Sequence, residues 1–314
     1  MFVDRLINGI IEKKNPSVVG LDTLLDYVPR SIRDRHAALH ADPAKAAAEA
    51  IFEFNAGIID AVRDVVPAVK PQLAYFELYG VHGVECFART VARAREKGLL
   101  VIADAKRNDI GSTAAAYADA YLGETALGGG ESARAFDADA MTVNPYLGAD
   151  GIEPFLKNCD KFGKGLFVLV KTSNPSSGQF QDLELKNGQK VYEHVAELVD
   201  EWGDGRQGEY GYASVGAVVG ATYPEQAKAL RKILKRAYIL VPGFGAQGGS
   251  AEGAAAAFDE SGLGAVVNAS RSVLTAWRHE RWEGKYGEDD FAEAARAEAL
   301  RMKSEINGAI GANS

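Results

Sequence analysis

Short apolar runs alternate with amphipathic stretches along almost the whole chain. Each run has the length of a strand, and most lack the polar alternation of a half-exposed strand. Such continuous runs are typical of strands buried on both faces, as in parallel sheets. The predicted strands are residues 17–22, 68–72, 99–104, 140–144, 166–171, 215–220, 237–242 and 264–268.

The stretches between these strands carry apolar residues at helical spacing. The predicted helices that follow the strands are residues 44–65, 84–97, 112–126, 152–159, 191–202, 224–235, 251–259 and 270–277. A leading helix at 2–13 and a trailing helix at 291–310 fall outside the alternation. We expect these two to close the bottom of the fold or to pack on its flank.

Eight strand–helix units in 314 residues indicate an α/β fold, a (β/α)8 TIM barrel with extra N-terminal and C-terminal helices. We expect residues 1–314 to form one such domain. A doubly wound open sheet is the alternative. That fold usually carries a GxGxxG turn after its first strand, and residues 20–23 do not match it.

Composition narrows the class of protein. The formal net charge of −8 argues against a nucleic-acid-binding surface, which needs a basic stripe. The chain begins without the basic start and apolar core of a signal peptide, and its apolar runs fall short of the roughly 18 residues that span a bilayer. Cys86 and Cys159 form no disulfide framework and are expected to be buried or half-buried thiols. We therefore expect a cytoplasmic protein with neither nucleic-acid nor membrane partners.

The end of the third strand carries the densest charge in the sequence. Asp104, Lys106 and Asp109 follow directly on an apolar run. Side chains at i and i+2 of a strand share a face, so Asp104 and Lys106 should project together. Unpaired buried charge is costly, so we expect these groups to pair. One interpretation is a salt bridge that caps the next helix; the other is a catalytic group.

Polar residues also end most of the other strands. In TIM barrels the active site lies at the carboxyl ends of the strands, so convergence there favours the catalytic interpretation. Lys171 could also form a Schiff base, as in aldolases. The further strand-end groups are Asp22, Lys70, residues 172–175, residues 242–249 and residues 268–271.

The last two of these groups predict a phosphate site. Glycines after the seventh strand let backbone N–H groups approach an anion, and a helix that begins near Ser270 points its positive end the same way. Arg271 adds a fork-shaped donor. The alternative is a tight turn beside a surface arginine.

A metal site is not predicted. His36 and His40 are spaced i, i+4, but an acidic third ligand at a recognised spacing is missing from the sequence around them.

Taken in order, these motifs resemble the orotidine 5′-phosphate decarboxylases, in particular their longer subfamily. The signature is Asp104-Ala-Lys106-Arg-Asn-Asp109-Ile110-Gly-Ser-Thr113. Alone, its Asp-x-Lys-x-x-Asp element also marks related sugar-phosphate decarboxylases, but the full ordered set is more specific. The other matching segments are residues 2–6, 19–22, 69–72, 172–175, 241–248 and 267–271.

The resemblance implies decarboxylation of orotidine 5′-monophosphate to uridine 5′-monophosphate, the last step of de novo pyrimidine synthesis, without a cofactor or metal. It implies that Lys106 protonates a ring carbanion and is flanked by Asp104, Lys70 and an aspartate matching Asp109. It also implies substrate contacts. Asp22 would hold the ribose, Ser173 the pyrimidine edge, and Gln247 and Arg271 the phosphate. Pro242 would also bind the substrate.

The resemblance further implies a homodimer with shared active sites, in which Asp109, Ile110 and Thr113 reach into the partner's site. Two other functions remain open. A magnesium-dependent sugar-phosphate decarboxylase or aldolase would lose activity with a chelator, whereas a catalytically inert nucleotide-binding barrel would show no turnover at all.

Overall fold

The computed structural model describes residues 1–220, 224–245 and 249–313. These residues form ten strands. In chain order they are β1 Ser17–Leu21, β2 Ala68–Pro71, β3 Leu100–Arg107, β4 Thr125–Gly128, β5 Glu131–Ala133, β6 Ala140–Val143, β7 Gly165–Lys171, β8 Ala213–Val219, β9 Ala237–Val241 and β10 Ala265–Ala269.

Eight of the strands close into a parallel barrel in the order β1-β10-β9-β8-β7-β6-β3-β2. The first strand pairs with both β2 and β10, so this sheet has no free edge. The predicted (β/α)8 barrel is confirmed, and the open sheet is excluded. Each predicted barrel strand is present, with bounds that differ by up to three residues.

Twelve α-helices surround the barrel in the described residues. They are α1 Phe2–Lys13, α2 Arg30–Leu39, α3 Pro43–Val62, α4 Leu73–Glu77, α5 Gly80–Glu96, α6 Gly111–Leu122, α7 Glu153–Phe162, α8 Val191–Trp202, α9 Pro224–Ile233, α10 Ala251–Ala255, α11 Arg271–Leu274 and α12 Phe291–Asn313. Helices α2 and α4 are not among the helices predicted from the sequence, which assigns no element to residues 24–43 or 73–83.

The predicted helix at 112–126 is wrong over its last residues. Helix α6 ends at Leu122, and Gly123 follows as its cap. The chain then forms an exposed hairpin of β4 and β5. Its turn contains residues 128–130, three glycines with positive φ, a conformation that glycine adopts without steric cost.

The two helices outside the alternation have the predicted positions. Helix α1 packs Phe2 and Leu6 into the interior cluster of the barrel, where Phe2 meets Phe167 edge-to-face with ring centroids 6.0 Å apart. It therefore closes the amino end of the barrel. Helix α12 lies on the flank, where Phe291 stacks on Phe54 of α3.

Both cysteines are buried, as predicted. Burial raises the pKa of Cys86 to about 12, so its thiol stays protonated and inert at neutral pH. Within the described part of the chain, no helix is both long enough and apolar enough to cross a membrane.

Candidate active site

Two adjoining cavities, of 410 and 620 Å³, open at the carboxyl ends of the barrel strands. They share Lys70, Asp104, Lys106 and Pro242. The first is also lined by Asp22, Tyr27, Gln72, Tyr75, Gly243, Phe244, Asn268, Ser270 and Arg271. The second is also lined by Thr142, Leu169, Thr172, Ser173, Asn174, Pro175, Val218 and Leu240.

The carboxylate of Asp104 lies at the junction of the two cavities and accepts four hydrogen bonds. Its Oδ1 accepts from Lys106 Nζ at 2.6 Å and from Thr142 Oγ1 at 2.8 Å. Its Oδ2 accepts from Lys70 Nζ at 2.6 Å and from Gln72 Nε2 at 2.9 Å. A carboxylate offers about four acceptor positions, so the orientation of Asp104 is fixed from every side.

Charges of alternating sign run through this site. Lys70 Nζ lies 3.6 Å from Asp22 Oδ1 as well as 2.6 Å from Asp104 Oδ2. Burial acts to lower the pKa of Lys70, but the charges of Asp104 and Asp22 outweigh it and the net pKa is raised. Burial acts to raise the pKa of Asp104, yet Lys70 and Lys106 bring it well below its usual range. Lys70 and Asp104 therefore both stay charged at neutral pH.

The backbone at Lys106 is irregular. The pairing of β3 with β6 changes register between Ala103 and Arg107, and Lys106 has a φ of 48°. Residues other than glycine rarely adopt this left-handed backbone conformation, which costs them roughly 1–2 kcal/mol. Strain of this kind clusters at functional sites. The Lys106 side chain is 44% exposed, so its ammonium borders open space, whereas that of Lys70 is buried.

Arg271, Tyr27 and Tyr75 all line the first cavity. Glycine at position 20 leaves room for the Ser270 side chain, since a methyl group on the Gly20 Cα would overlap Ser270 Oγ.

The predicted helix at 270–277 is wrong in extent: α11 spans only Arg271–Leu274 and is followed by a 3-10 turn. One helical turn has few aligned peptide dipoles, so any anion held here depends on Arg271 more than on the helix end. Gln247 lies outside the described residues.

The second cavity is more apolar and holds Ser173. A methyl group at Gly220 would overlap Ser173 Oγ, so a glycine is needed at that position. The segment after β7 is tied back to the barrel by two contacts. Lys171 Nζ contacts Asp182 Oδ1 at 2.6 Å, and Gln181 exchanges hydrogen bonds with the backbone and hydroxyl of Thr172 at 3.0 and 2.8 Å.

The Schiff-base interpretation of Lys171 is not favoured. Its side chain is buried between Asp182 and the ring of Tyr192, and it lines neither of the two described cavities. Lys106, by contrast, lines both cavities, and its side chain is partly exposed.

The charged side chains of Asp22, Lys70, Asp104 and Lys106 form a charge cluster. Within this chain, Asp109, Ile110 and Thr113 are not brought to it. They lie at the start of α6, where the carboxylate of Asp109 accepts a hydrogen bond from Ile110 N at 2.8 Å. Thr113 is exposed, and the Ile110 side chain is 53% exposed, a large fraction for an isoleucine. Neither cavity includes these three residues.

A comparison with protein families shows which known proteins the chain is related to. The sequence model of the family described as Orotidine 5′-phosphate decarboxylase / HUMPS matches residues 41–281. The chain belongs to the orotidine 5′-phosphate decarboxylase family. The family resemblance inferred from the sequence motifs is thereby confirmed.

Curated relatives of this decarboxylase family align over nearly the whole chain. The orotidine 5′-phosphate decarboxylase of Rhodopirellula baltica is 46% identical, covering 98% of this chain and 99% of the relative. That of Caldicellulosiruptor saccharolyticus is 44% identical over the same shares. The solved structure of Leishmania donovani OMP decarboxylase is 29% identical, with a TM-score of 0.73 and 99% of each chain covered. The sugar-phosphate alternative is not favoured by these names.

Sequence reasoning missed several residues that line the site of this decarboxylase-family chain. Gln72 and Thr142 both donate to Asp104, and Tyr27 and Tyr75 line the first cavity with Arg271. A signal for Thr142 exists in the sequence: it is a polar residue inside the otherwise apolar run at 140–143.

The histidine pair considered as a metal site lies outside the two cavities. His36 Nε2 contacts Glu53 Oε2 at 2.8 Å, and the His36 ring stacks on that of His40.

Proposed function

We propose that this chain converts orotidine 5′-monophosphate to uridine 5′-monophosphate and carbon dioxide, the last step of de novo UMP synthesis. The observation that carries the proposal is the arrangement of Lys106, Asp104 and Lys70 at the junction of two cavities, with Asp104 fully hydrogen-bonded. Relatives that align over nearly the whole chain and are named orotidine 5′-phosphate decarboxylase support it.

The chemistry requires stabilisation of a carbanion. Loss of carbon dioxide leaves an electron pair on a ring carbon of the pyrimidine, and that carbon must then gain a proton. An ammonium group held beside it stabilises the developing charge and then donates the proton. Lys106 suits this role because it borders open space, whereas Lys70 is buried and holds Asp104.

The two cavities suit the two ends of a nucleotide. We assign the pyrimidine edge to Ser173 in the second cavity and the ribose to Asp22 in the first. The phosphate is assigned to Arg271 together with Gln247, with Pro242 at the boundary of the two cavities. A fixed arginine favours a phosphate through paired, charge-assisted hydrogen bonds.

We also propose that residues 1–314 form one domain and that the active unit is a cytoplasmic homodimer. In this proposal Asp109, Ile110 and Thr113 complete the site of the neighbouring subunit. Ile110 and Thr113 are exposed, Asp109 is half-buried, and none of the three lines either cavity of its own chain, which supports a role across an interface. Two-fold symmetric dimers are the commonest soluble oligomers.

The test is a spectrophotometric assay of the purified chain. The absorbance of orotidine 5′-monophosphate should fall in buffer without added metal or cofactor, and EDTA should leave the rate unchanged. A rate abolished by EDTA and restored by magnesium would support the sugar-phosphate alternative. No turnover under either condition would leave a nucleotide-binding barrel as the better description.

A further inference from the structure

The second cavity includes one fully buried hydroxyl residue among its apolar lining residues. Thr142 lies on β6, is 1% exposed, and shares this cavity with Leu169, Val218 and Leu240. A buried hydroxyl in such surroundings is costly unless both its donor and its acceptor capacity are used. Here both are used, and both partners belong to the charge cluster.

The hydroxyl joins the backbone of Lys106 to the side chain of Asp104. Thr142 Oγ1 accepts a hydrogen bond from Lys106 N at 3.0 Å and donates one to Asp104 Oδ1 at 2.8 Å. A hydroxyl has one proton, and the contact with an acceptor-only carboxylate determines where that proton points. The orientation of the Thr142 hydroxyl is therefore fixed by the two groups that it joins.

The contact to Lys106 lies at the irregular part of β3. The register between β3 and β6 changes between Ala103 and Arg107, and the Lys106 backbone is left-handed. The Lys106 N–H meets a side-chain oxygen of β6 at this point. The hydroxyl of Thr142 thus supplies a partner for the amide of a strained residue whose ammonium must be placed accurately.

We propose that Thr142 is a positioning residue for the decarboxylation: its hydroxyl fixes the Lys106 backbone and the Asp104 carboxylate together, and thereby sets the position of the Lys106 ammonium. The proposal rests on the proposed function. Thr142 acts through Lys106 and Asp104 and has no assigned contact with the substrate. Its effect should therefore fall on turnover more than on binding.

The expected size follows from the geometry. Replacing Thr142 with valine keeps the shape but leaves the Lys106 N–H without its partner and removes one of the four donors to Asp104. A displacement of about 1 Å in a reacting group costs on the order of 100-fold in rate. Asp22 directly follows β1 and Arg271 begins α11, just after β10, and neither of these strands pairs with β6, so the KM should change little.

The test compares Thr142→Val with Thr142→Ser, which keeps the hydroxyl. We expect Thr142→Val to lower kcat by roughly 30- to 100-fold with KM within about threefold, and Thr142→Ser to stay within about threefold of the original kcat. The matched control is Thr90→Val. Thr90 is equally buried, but its hydroxyl donates to a helix carbonyl, Cys86 O, at 2.8 Å. The kcat of Thr90→Val should equal that of the original chain.

Three results would overturn the proposal: a Thr142→Val kcat within threefold of the original, a change confined to KM, or an equal loss in Thr142→Ser. If Thr142→Val does not fold, Thr142→Ala decides the matter under the same criteria, because it also lacks the hydroxyl and introduces no new contact. Absence of decarboxylation by the unmodified chain would contradict the proposed function itself. An active unmodified chain with an equally active Thr142→Val variant would contradict only the role of Thr142.

Discussion

Replacement of Asp104 by asparagine should reveal how strongly the site depends on one charge. The carboxylate contacts two ammonium groups at 2.6 Å, and the side chain of Lys70 is only 4% exposed. Removing one partner of a buried ion pair costs roughly 3–5 kcal/mol, because the remaining charge is left without compensation. An amide also places an NH2 group where the carboxylate accepts a hydrogen bond. We therefore expect Asp104→Asn to lower the free energy of unfolding at pH 7 by roughly 3–5 kcal/mol.

The deficit should depend on pH in a defined way. The raised pKa of Lys70 means that its contribution is fully present below the unfolded value of about 10.4 and is lost as pH rises through the folded value. The lowered pKa of Asp104 means that its contribution is present above about 3.9 and is lost as pH falls through the folded value. The deficit should therefore be largest between about pH 5 and pH 9 and should shrink above about pH 10.

Urea unfolding of the original chain and of Asp104→Asn at pH 7 and at about pH 11 measures this deficit. Asp26→Asn is the control, because Asp26 pairs with Arg278 at 3.4 Å on the surface and its side chain is 66% exposed. Surface pairs contribute about 0–1 kcal/mol, so this variant should lose little stability. A deficit for Asp104→Asn no larger than that of the control, or one that grows at about pH 11, would refute the reasoning.

Four further predictions concern activity. Lys106→Ala should fold, bind a uridylate-like ligand and lose essentially all decarboxylation; activity within tenfold of the original would remove Lys106 from the central role. Arg271→Ala should lose roughly 2–5 kcal/mol of transition-state binding, with a smaller loss on a substrate without phosphate; equal losses on both substrates would place Arg271 away from the phosphate. Asp182→Asn weakens the 2.6 Å contact with Lys171 and should raise KM by roughly tenfold, equivalent to about 1.4 kcal/mol, because that contact helps to position Ser173. The control is Asp160→Asn, which disrupts the surface pair with Arg206. Equal KM values for the two variants would refute a role for the contact between Lys171 and Asp182. Mixing inactive Asp109→Ala and Lys106→Ala should restore about a quarter of the original activity, because half of the reassorted dimers carry one intact site; no recovery after verified subunit exchange would mean that Asp109 serves its own chain.

The barrel could be predicted because its signal is local and repeated. Each strand is a short apolar run, and each run is followed by a helical pattern, so an error in one element leaves the rest intact. The prediction failed where turn residues decide the outcome. Beyond Leu122 the alanine-containing pattern favours a helix, but Gly123 ends it and the three glycines at 128–130 turn the chain into a hairpin.

Part of the site was also accessible from sequence. The i, i+2 spacing of Asp104 and Lys106 predicts that they share a face, and their charged groups lie 2.6 Å apart. Gln72 and Thr142 were missed because their contacts with Asp104 cross between neighbouring strands. Such contacts depend on register, and the bulge at Lys106 alters the register in a way that side-chain periodicity does not predict.

The tether formed by Gln181 and Asp182 was inaccessible for another reason. These residues lie in an irregular segment after β7, where neither helical nor strand periodicity exists. Their positions follow from tertiary contacts with Thr172 and Lys171. Loop residues of this kind are found only when the fold brings them back to the barrel.

The central claim is that this chain decarboxylates orotidine 5′-monophosphate and that Lys106 protonates the resulting carbanion. The most direct measurement incubates the purified chain with this substrate in deuterium oxide containing EDTA and analyses the products by NMR and mass spectrometry. The account predicts equal amounts of carbon dioxide and uridine 5′-monophosphate, one deuterium on the ring carbon that lost the carboxylate, and no product from Lys106→Ala. Failure of the unmodified chain to form uridine 5′-monophosphate, or comparable product from Lys106→Ala, would contradict it.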